Sequence, residues 1–191
     1  MPVSRIACIA WGSLVWDPRT LPLAGEFRED GPWLSVEFSR VALDGRVTLI
    51  LDPTARAVRT HWVPLAVESL EEAVTALGMR EKIAPGRRPD WVGRMRRTDP
   101  TPGFEASNPA PRALAAWLEE RELDAVVWTA LPARGPDGAS KRPDFDCLLR
   151  HLEALEGEAR IRAEEYIRRA PSSIDTDHRA KFEDGLGWVV S

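Results

Sequence analysis

The sequence predicts an α+β fold: a mixed, largely antiparallel sheet or small β-barrel with helices flanking it. Three observations lead there. Short runs of β-branched and aromatic residues, bounded by Gly, Pro and Asp, crowd the first two-thirds of the chain. Helical apolar stripes are interspersed among them and then take over. With 191 residues and 43% apolar content the chain can bury one substantial core, so a single domain spanning 1–191 is expected.

Strands are expected near Arg5–Trp11, Trp33–Arg40, Arg46–Leu51, Thr60–Val67, Trp91–Arg96 and Asp124–Thr129. Asp44-Gly45 lies between the second and third, and Asp-Gly favours a tight hairpin turn, so these two should pair antiparallel. A helix is expected over Glu68–Leu77, with Leu70, Ala73, Val74 and Leu77 as its stripe, Ser69 as N-cap and Gly78 as the stop. Pro111–Glu120 places Leu114, Trp117 and Leu118 on one face behind a first-turn proline. Asp144–Leu155 carries Phe145, Leu148, Leu149, Leu152 and Leu155 on one side, and Gly157 is expected to close it. Helices at Arg160–Arg169 and, more briefly, within Asp175–Asp184 follow, while Asp99–Pro111 and Pro132–Pro143 read as long surface loops. Trp62, Trp117 and Trp128 fall in patterns that belong to a core, and Trp16 and Trp33 are candidates to line a cleft.

Composition excludes several functions. A formal charge of −4 gives no electrostatic ground for a nucleic-acid partner. The local excess of arginine from Arg87 to Arg97 reads as a solvated loop and strand face. Cys8 and Cys147 are far apart, form no CxxC pair and sit among apolar neighbours, which points to buried, reduced thiols and a cytoplasmic location. No basic segment followed by a long apolar run opens the sequence, and no stretch reaches the roughly 18 apolar residues of a membrane span, so no membrane association is expected. His61, His151 and His178 are scattered without ligand spacing, and neither a phosphate loop nor a dinucleotide fingerprint occurs. No metal and no cofactor are expected.

The segment most suggestive of function is Ile9-Ala10-Trp11-Gly12-Ser13-Leu14-Val15-Trp16, an apolar strand entering a Gly-Ser turn. Glycine there lets the backbone turn and lets a ligand approach closely, and successive N–H groups in such a turn make a carboxylate cradle. The segment resembles the Gly-Tyr-Gly-Ser-Leu-x-Trp substrate loop of the ChaC-like branch of the γ-glutamylcyclotransferase superfamily, with Trp11 where the family has Tyr. The same branch continues with an aromatic-Ser-Arg segment, a Thr-Leu strand and an Arg-Glu-Lys tripeptide. This chain has Phe38-Ser39-Arg40, Thr48-Leu49 and Arg80-Glu81-Lys82 in that order, and later Glu165-Tyr166-Ile167, similar to a Glu-Tyr-Leu of the family. The family's mixed barrel with flanking helices agrees with the pattern read above.

The resemblance implies an intramolecular aminolysis in which the α-amine of a γ-glutamyl group attacks its own side-chain carbonyl. 5-Oxoproline leaves with an amine or peptide as co-product. Glu81 would be the general acid/base, and the amides of Gly12, Ser13 and Leu14 would hold the substrate carboxylate above a floor containing Trp11. Arg40 would pair with a substrate carboxylate by its fork geometry, or else is a surface strand arginine. Tyr166 would reach the pocket, or else is a half-buried helix tyrosine. Were Glu81 extended, Arg80 and Lys82 would project to the opposite face and leave it without a direct charge partner. Two departures stand out: Ile83-Ala84-Pro85-Gly86 replaces the family's Gly-Gly-Tyr, and an indole replaces a phenol at Trp11. The alternative is a non-catalytic domain on the same fold that binds a small acid or a protein partner. Neither the leaving amine nor the oligomeric state is written in the sequence.

Overall fold

The computed structural model describes residues 5–99 and 110–188, with side chains of α3 described from position 113. Its strands are β1 (Ile6–Ala10), β2 (Trp33–Val41), β3 (Val47–Leu51), β4 (Ala57–Arg59), β5 (His61–Pro64), β6 (Val92–Arg96) and β7 (Ala125–Thr129). The helices are α1 (Leu70–Arg80), a short α2 (Arg88–Trp91), α3 (Ala110–Glu120), α4 (Phe145–Glu153), α5 (Gly157–Arg169) and α6 (Asp177–Leu186). Among the described residues the strands form a four-stranded sheet in the order β5-β1-β7-β6 and a three-stranded sheet in the order β3-β2-β4. The class is α+β as expected, but no closed barrel is found.

The reason lies at Thr60. β4 pairs antiparallel with β2, whereas β5, one residue later, pairs antiparallel with β1. The chain therefore changes sheets across a single buried residue, whose hydroxyl donates to the Pro32 carbonyl at 2.6 Å. Gly31 faces this corner, where a Cβ would lie 2.5 Å from the Thr60 carbonyl oxygen. The strand expected over Thr60–Val67 starts one residue later and is shorter, and β4 was not anticipated because three residues between turns carry no readable period.

At the centre of the larger sheet, β1 and β7 run parallel and are buried on both faces, as a parallel pair must be. Ala7, Ile9, Val126 and Trp128 face one core with β2, β3 and the helices, while Ile6, Cys8, Ala125 and Val127 face another beneath α1. β2 and β3 form the hairpin expected at Asp44-Gly45, with Gly45 at φ +86°. Its register shifts between Phe38 and Arg40, so that Ser39 is bulged and its hydroxyl donates to Asp52 at 2.7 Å.

Trp62, Trp117 and Trp128 are core residues. Trp33 is 57% exposed, lies under Arg59 and lines neither of the hollows described below, and Cys147 is only partly buried while Cys8 is fully so. Two glycine stops are corrected. Ser69 caps α1 by accepting from the Glu72 amide, but the helix runs through Gly78 to Arg80. A Cβ at position 78 would lie 2.7 Å from Arg88 Cδ, so this glycine serves packing. Asp144 caps α4, which ends at Glu153 well before Gly157, and Gly157 instead opens α5 at φ +54°. The loop expected over Asp99–Pro111 lies almost wholly outside the described residues. No described helix is long and apolar enough to cross a membrane.

Candidate functional site

A cleft of about 510 Å³ opens at the carboxyl ends of β1 and β7. This is the edge of a parallel strand pair where diverging connections leave a crevice. β1 delivers Trp11, Gly12, Ser13 and Leu14 to it, β2 delivers Arg40, the end of α1 delivers Glu81, and α5 delivers Tyr166. All seven residues singled out from the sequence line this one cleft, although they lie up to 155 positions apart in the chain.

The turn after β1 uses its carbonyls internally: the Val15 amide donates to Gly12 at 2.9 Å and the Asp17 amide to Ser13 at 2.8 Å. The amides of Gly12, Ser13 and Leu14 make none of the turn's backbone hydrogen bonds, and that of Ser13 is directed at the Tyr166 hydroxyl. Trp11 is buried, its indole N–H donating to the Leu49 carbonyl at 3.3 Å, so the ring forms a wall of the cleft and does not plug it. Tyr166 is also buried, and its hydroxyl accepts from the Leu49 amide at 3.4 Å. Burial pushes this phenol up to about 12; the Leu49 amide opposes the rise, and the Glu81 carboxylate adds to it. Tyr166 is therefore a neutral hydroxyl at physiological pH. Arg40 donates to the Pro132 carbonyl at 2.6 Å, which ties the 132–143 loop to the cleft. Burial, with Arg134 nearby, lowers its pKa.

Glu81 is not extended. It is the C-cap of α1, at φ −81° and ψ 0°, and Arg80 is its direct charge partner at 2.6 Å. The helical continuation through Gly78 is what overturns the extended reading, because consecutive residues at a helix end do not alternate between faces. Thr129 also lies within reach of Glu81, its hydroxyl 3.5 Å away, and both contacts fall on Oε1. The carboxylate is partly buried, with 17% of its side chain exposed.

Arg80 was missed from the sequence, and it organises the site. Its side chain is 3% exposed, and its guanidinium donates to Glu81, to Ser13 Oγ at 3.3 Å and twice to the Asp17 carbonyl, at 2.6 and 3.2 Å. One fork thus joins the end of α1 to the turn after β1. Lys82, expected on the opposite face, lines the cleft, as do Arg19, Arg46 and Thr129. The adjacency of Arg80 to Glu81 was the one available signal; the rest arrive through tertiary contacts. Trp16, the other aromatic cleft candidate, lines a smaller neighbouring hollow of about 190 Å³ together with Tyr166.

Among the described residues no group of three or more His, Cys, Asp or Glu side chains is placed to hold a metal ion. The chain matches no family model, no curated protein and no solved structure. The chemistry of the cleft therefore has to be argued from its own groups: the Glu81 carboxylate with an arginine and a threonine beside it, a second carboxylate, Asp44, paired with Arg46, a glycine turn of amides, and an excess of cations.

Proposed function

We propose that this chain is a γ-glutamylcyclotransferase-like enzyme that releases 5-oxoproline from a γ-glutamyl amine or peptide. The observation that carries the reading is the shared cleft: the Glu81 carboxylate and the Gly12–Leu14 amides line one cavity of small-molecule size. In this reading the turn amides hold the substrate α-carboxylate, and the γ-glutamyl chain curls so that its amine meets its own γ-carbonyl. Glu81 accepts a proton from the α-ammonium. The freed nitrogen lone pair attacks the γ-carbonyl carbon and closes the five-membered ring. The bond from that carbon to the leaving nitrogen then breaks as Glu81 gives its proton to the departing amine, and the ring nitrogen, which still carries two hydrogens, loses the second to solvent by way of the freed Glu81 carboxylate. Arg80 aims Glu81, and Tyr166 supplies a neutral hydroxyl beside the turn. No cofactor enters this scheme.

The test is a panel of γ-glutamyl compounds assayed for 5-oxoproline. Release from at least one, falling by about 10² or more in Glu81→Gln, supports the reading. Full turnover by Glu81→Gln would exclude Glu81 as the base. A second reading, a non-catalytic small-acid-binding or protein-interaction domain, is favoured by the 2.6 Å contact that already engages Glu81 with Arg80. It predicts saturable ligand binding with no product from any member of the panel.

A further inference from the structure

The smaller hollow beside the cleft has a chemistry of its own. It is bounded by the turn after β1, by Arg46 just ahead of β3 and by one face of α5, and its volume of about 190 Å³ is that of roughly six waters. α5 contributes Arg162, Glu165, Tyr166 and Arg169, the i, i+3, i+4, i+7 spacing of a single helical face. The turn contributes Asp17 and Arg19. Four guanidinium groups from three separate segments therefore meet two carboxylates, and the lining is net positive.

The arginines are held in ways that leave donors over. Arg169 lies over the Trp16 ring at 5.6 Å and Arg46 over the Tyr166 ring at 5.3 Å. Stacking of this kind holds a planar guanidinium by its face and leaves its N–H edge for an acceptor. Each of the four also pairs with a carboxylate two or four positions away, through Nε in Arg19 and Arg46 and through one terminal nitrogen in Arg162 and Arg169. Those carboxylates keep 38–83% of their side chains exposed, so the pairs are weak, and most of the five N–H groups of each fork remain available.

A carboxylate is satisfied by one fork. Four forks arriving from three segments exceed what its two oxygens accept, whereas a phosphate group offers a double charge and three or more acceptor oxygens facing different ways. We infer that this hollow is a binding site for a phosphate group, carried by inorganic phosphate or by a small phosphomonoester. Ser13 and Tyr166 line both hollows, so an occupant rests against residues that the larger cleft also uses, yet the site stands whichever reading of that cleft holds.

The experiment is titration calorimetry on the full chain at about pH 8, where phosphate is dianionic, with inorganic phosphate, glycerol 3-phosphate and acetate as probes. Phosphate should bind saturably and about tenfold or more tighter than acetate, and its affinity should fall as sodium chloride rises from about 50 to about 500 mM. Arg162 and Arg169 line this hollow and not the larger cleft, so they report where phosphate sits. Arg162→Gln and Arg169→Gln should each weaken phosphate about tenfold, whereas Arg5→Gln, which removes the same charge ahead of β1, should leave it within about twofold. Tighter binding of glycerol 3-phosphate than of phosphate identifies a phosphomonoester as the ligand, and equal or weaker binding identifies the free ion. Absence of saturable phosphate binding, phosphate no tighter than acetate, or an affinity unchanged in both α5 variants overturns the inference. Should the variants fail to fold, the phosphate-to-acetate ratio of the parent protein decides.

Discussion

The hydroxyl of Tyr166 occupies the space that a side chain at Gly12 would need. A Cβ built on Gly12 would lie 2.5 Å from that oxygen and 3.5 Å from the ring carbon bearing it. α5 and the turn after β1 are thus fitted to one another across 154 positions, and the glycine of the turn is fixed by packing before any ligand is considered. Gly12→Ala should destabilise the protein by about 1–3 kcal/mol, the range for overpacking a filled interior. Tyr166→Phe removes the clashing oxygen and leaves ordinary van der Waals contact. The double variant should therefore be more stable than the sum of the singles predicts, as measured by denaturant unfolding in a double-mutant cycle.

Arg80 is the second point of union between distant segments. Arg80→Met deletes a buried cation, takes both of its hydrogen bonds from the Asp17 carbonyl and leaves the Glu81 carboxylate with only the Thr129 hydroxyl at 3.5 Å. Breaking a buried pair from one side costs about 3 kcal/mol or more. Arg80→Lys cannot reproduce the fork that spans Glu81, Ser13 and Asp17, and should recover only part of that loss. Urea unfolding midpoints of the two variants measure both effects.

Asp52 should govern part of the acid sensitivity. Burial pushes its carboxyl up, but hydrogen bonds from Ser39 and Thr54 and the Arg142 guanidinium together hold it below the usual carboxylate value. A group depressed in the folded state stabilises fully above its unfolded pKa of about 3.9, and that contribution is lost as pH falls through the folded value. The dependence of stability on pH below about 4 should be shallower in Asp52→Asn than in the parent protein, at the cost of a lower stability at neutral pH.

The two thiols should separate by reactivity. Cys8 lies in the centre of the larger sheet, fully buried, and burial, together with the Glu81 carboxylate, pushes its thiol upward. A thiol held neutral and inaccessible is a poor nucleophile. Cys147 is partly exposed at the first turn of α4. A thiol reagent at mildly alkaline pH should therefore modify Cys147 first, with Cys8 reacting only in denaturant, as followed by mass spectrometry of the labelled peptides.

Much of the architecture is legible locally. Apolar runs bounded by turn residues announce six of the seven strands, and the stripes of α1 and α4, with Ser69 as the cap of α1, announce those helices because capping and period are properties of neighbouring residues. β4 was illegible because three residues are too few for a period. The stop at Gly78 was misjudged because its glycine answers to Arg88 across a fold contact and not to the helix end. The seven candidate site residues were chosen by resemblance, and a single cleft does collect them, but the conformation at Glu81 and its arginine partner were not foreseen.

By itself the sequence determined the α+β class, the order of its longer elements and the turn at Gly12, because each depends on residues within a few positions of one another. Only the tertiary structure decided that the strands form two open sheets turning at Thr60, and that Arg80 binds Glu81 to the turn after β1. Those relationships join residues dozens of positions apart through burial and charge, and neither acts along the chain.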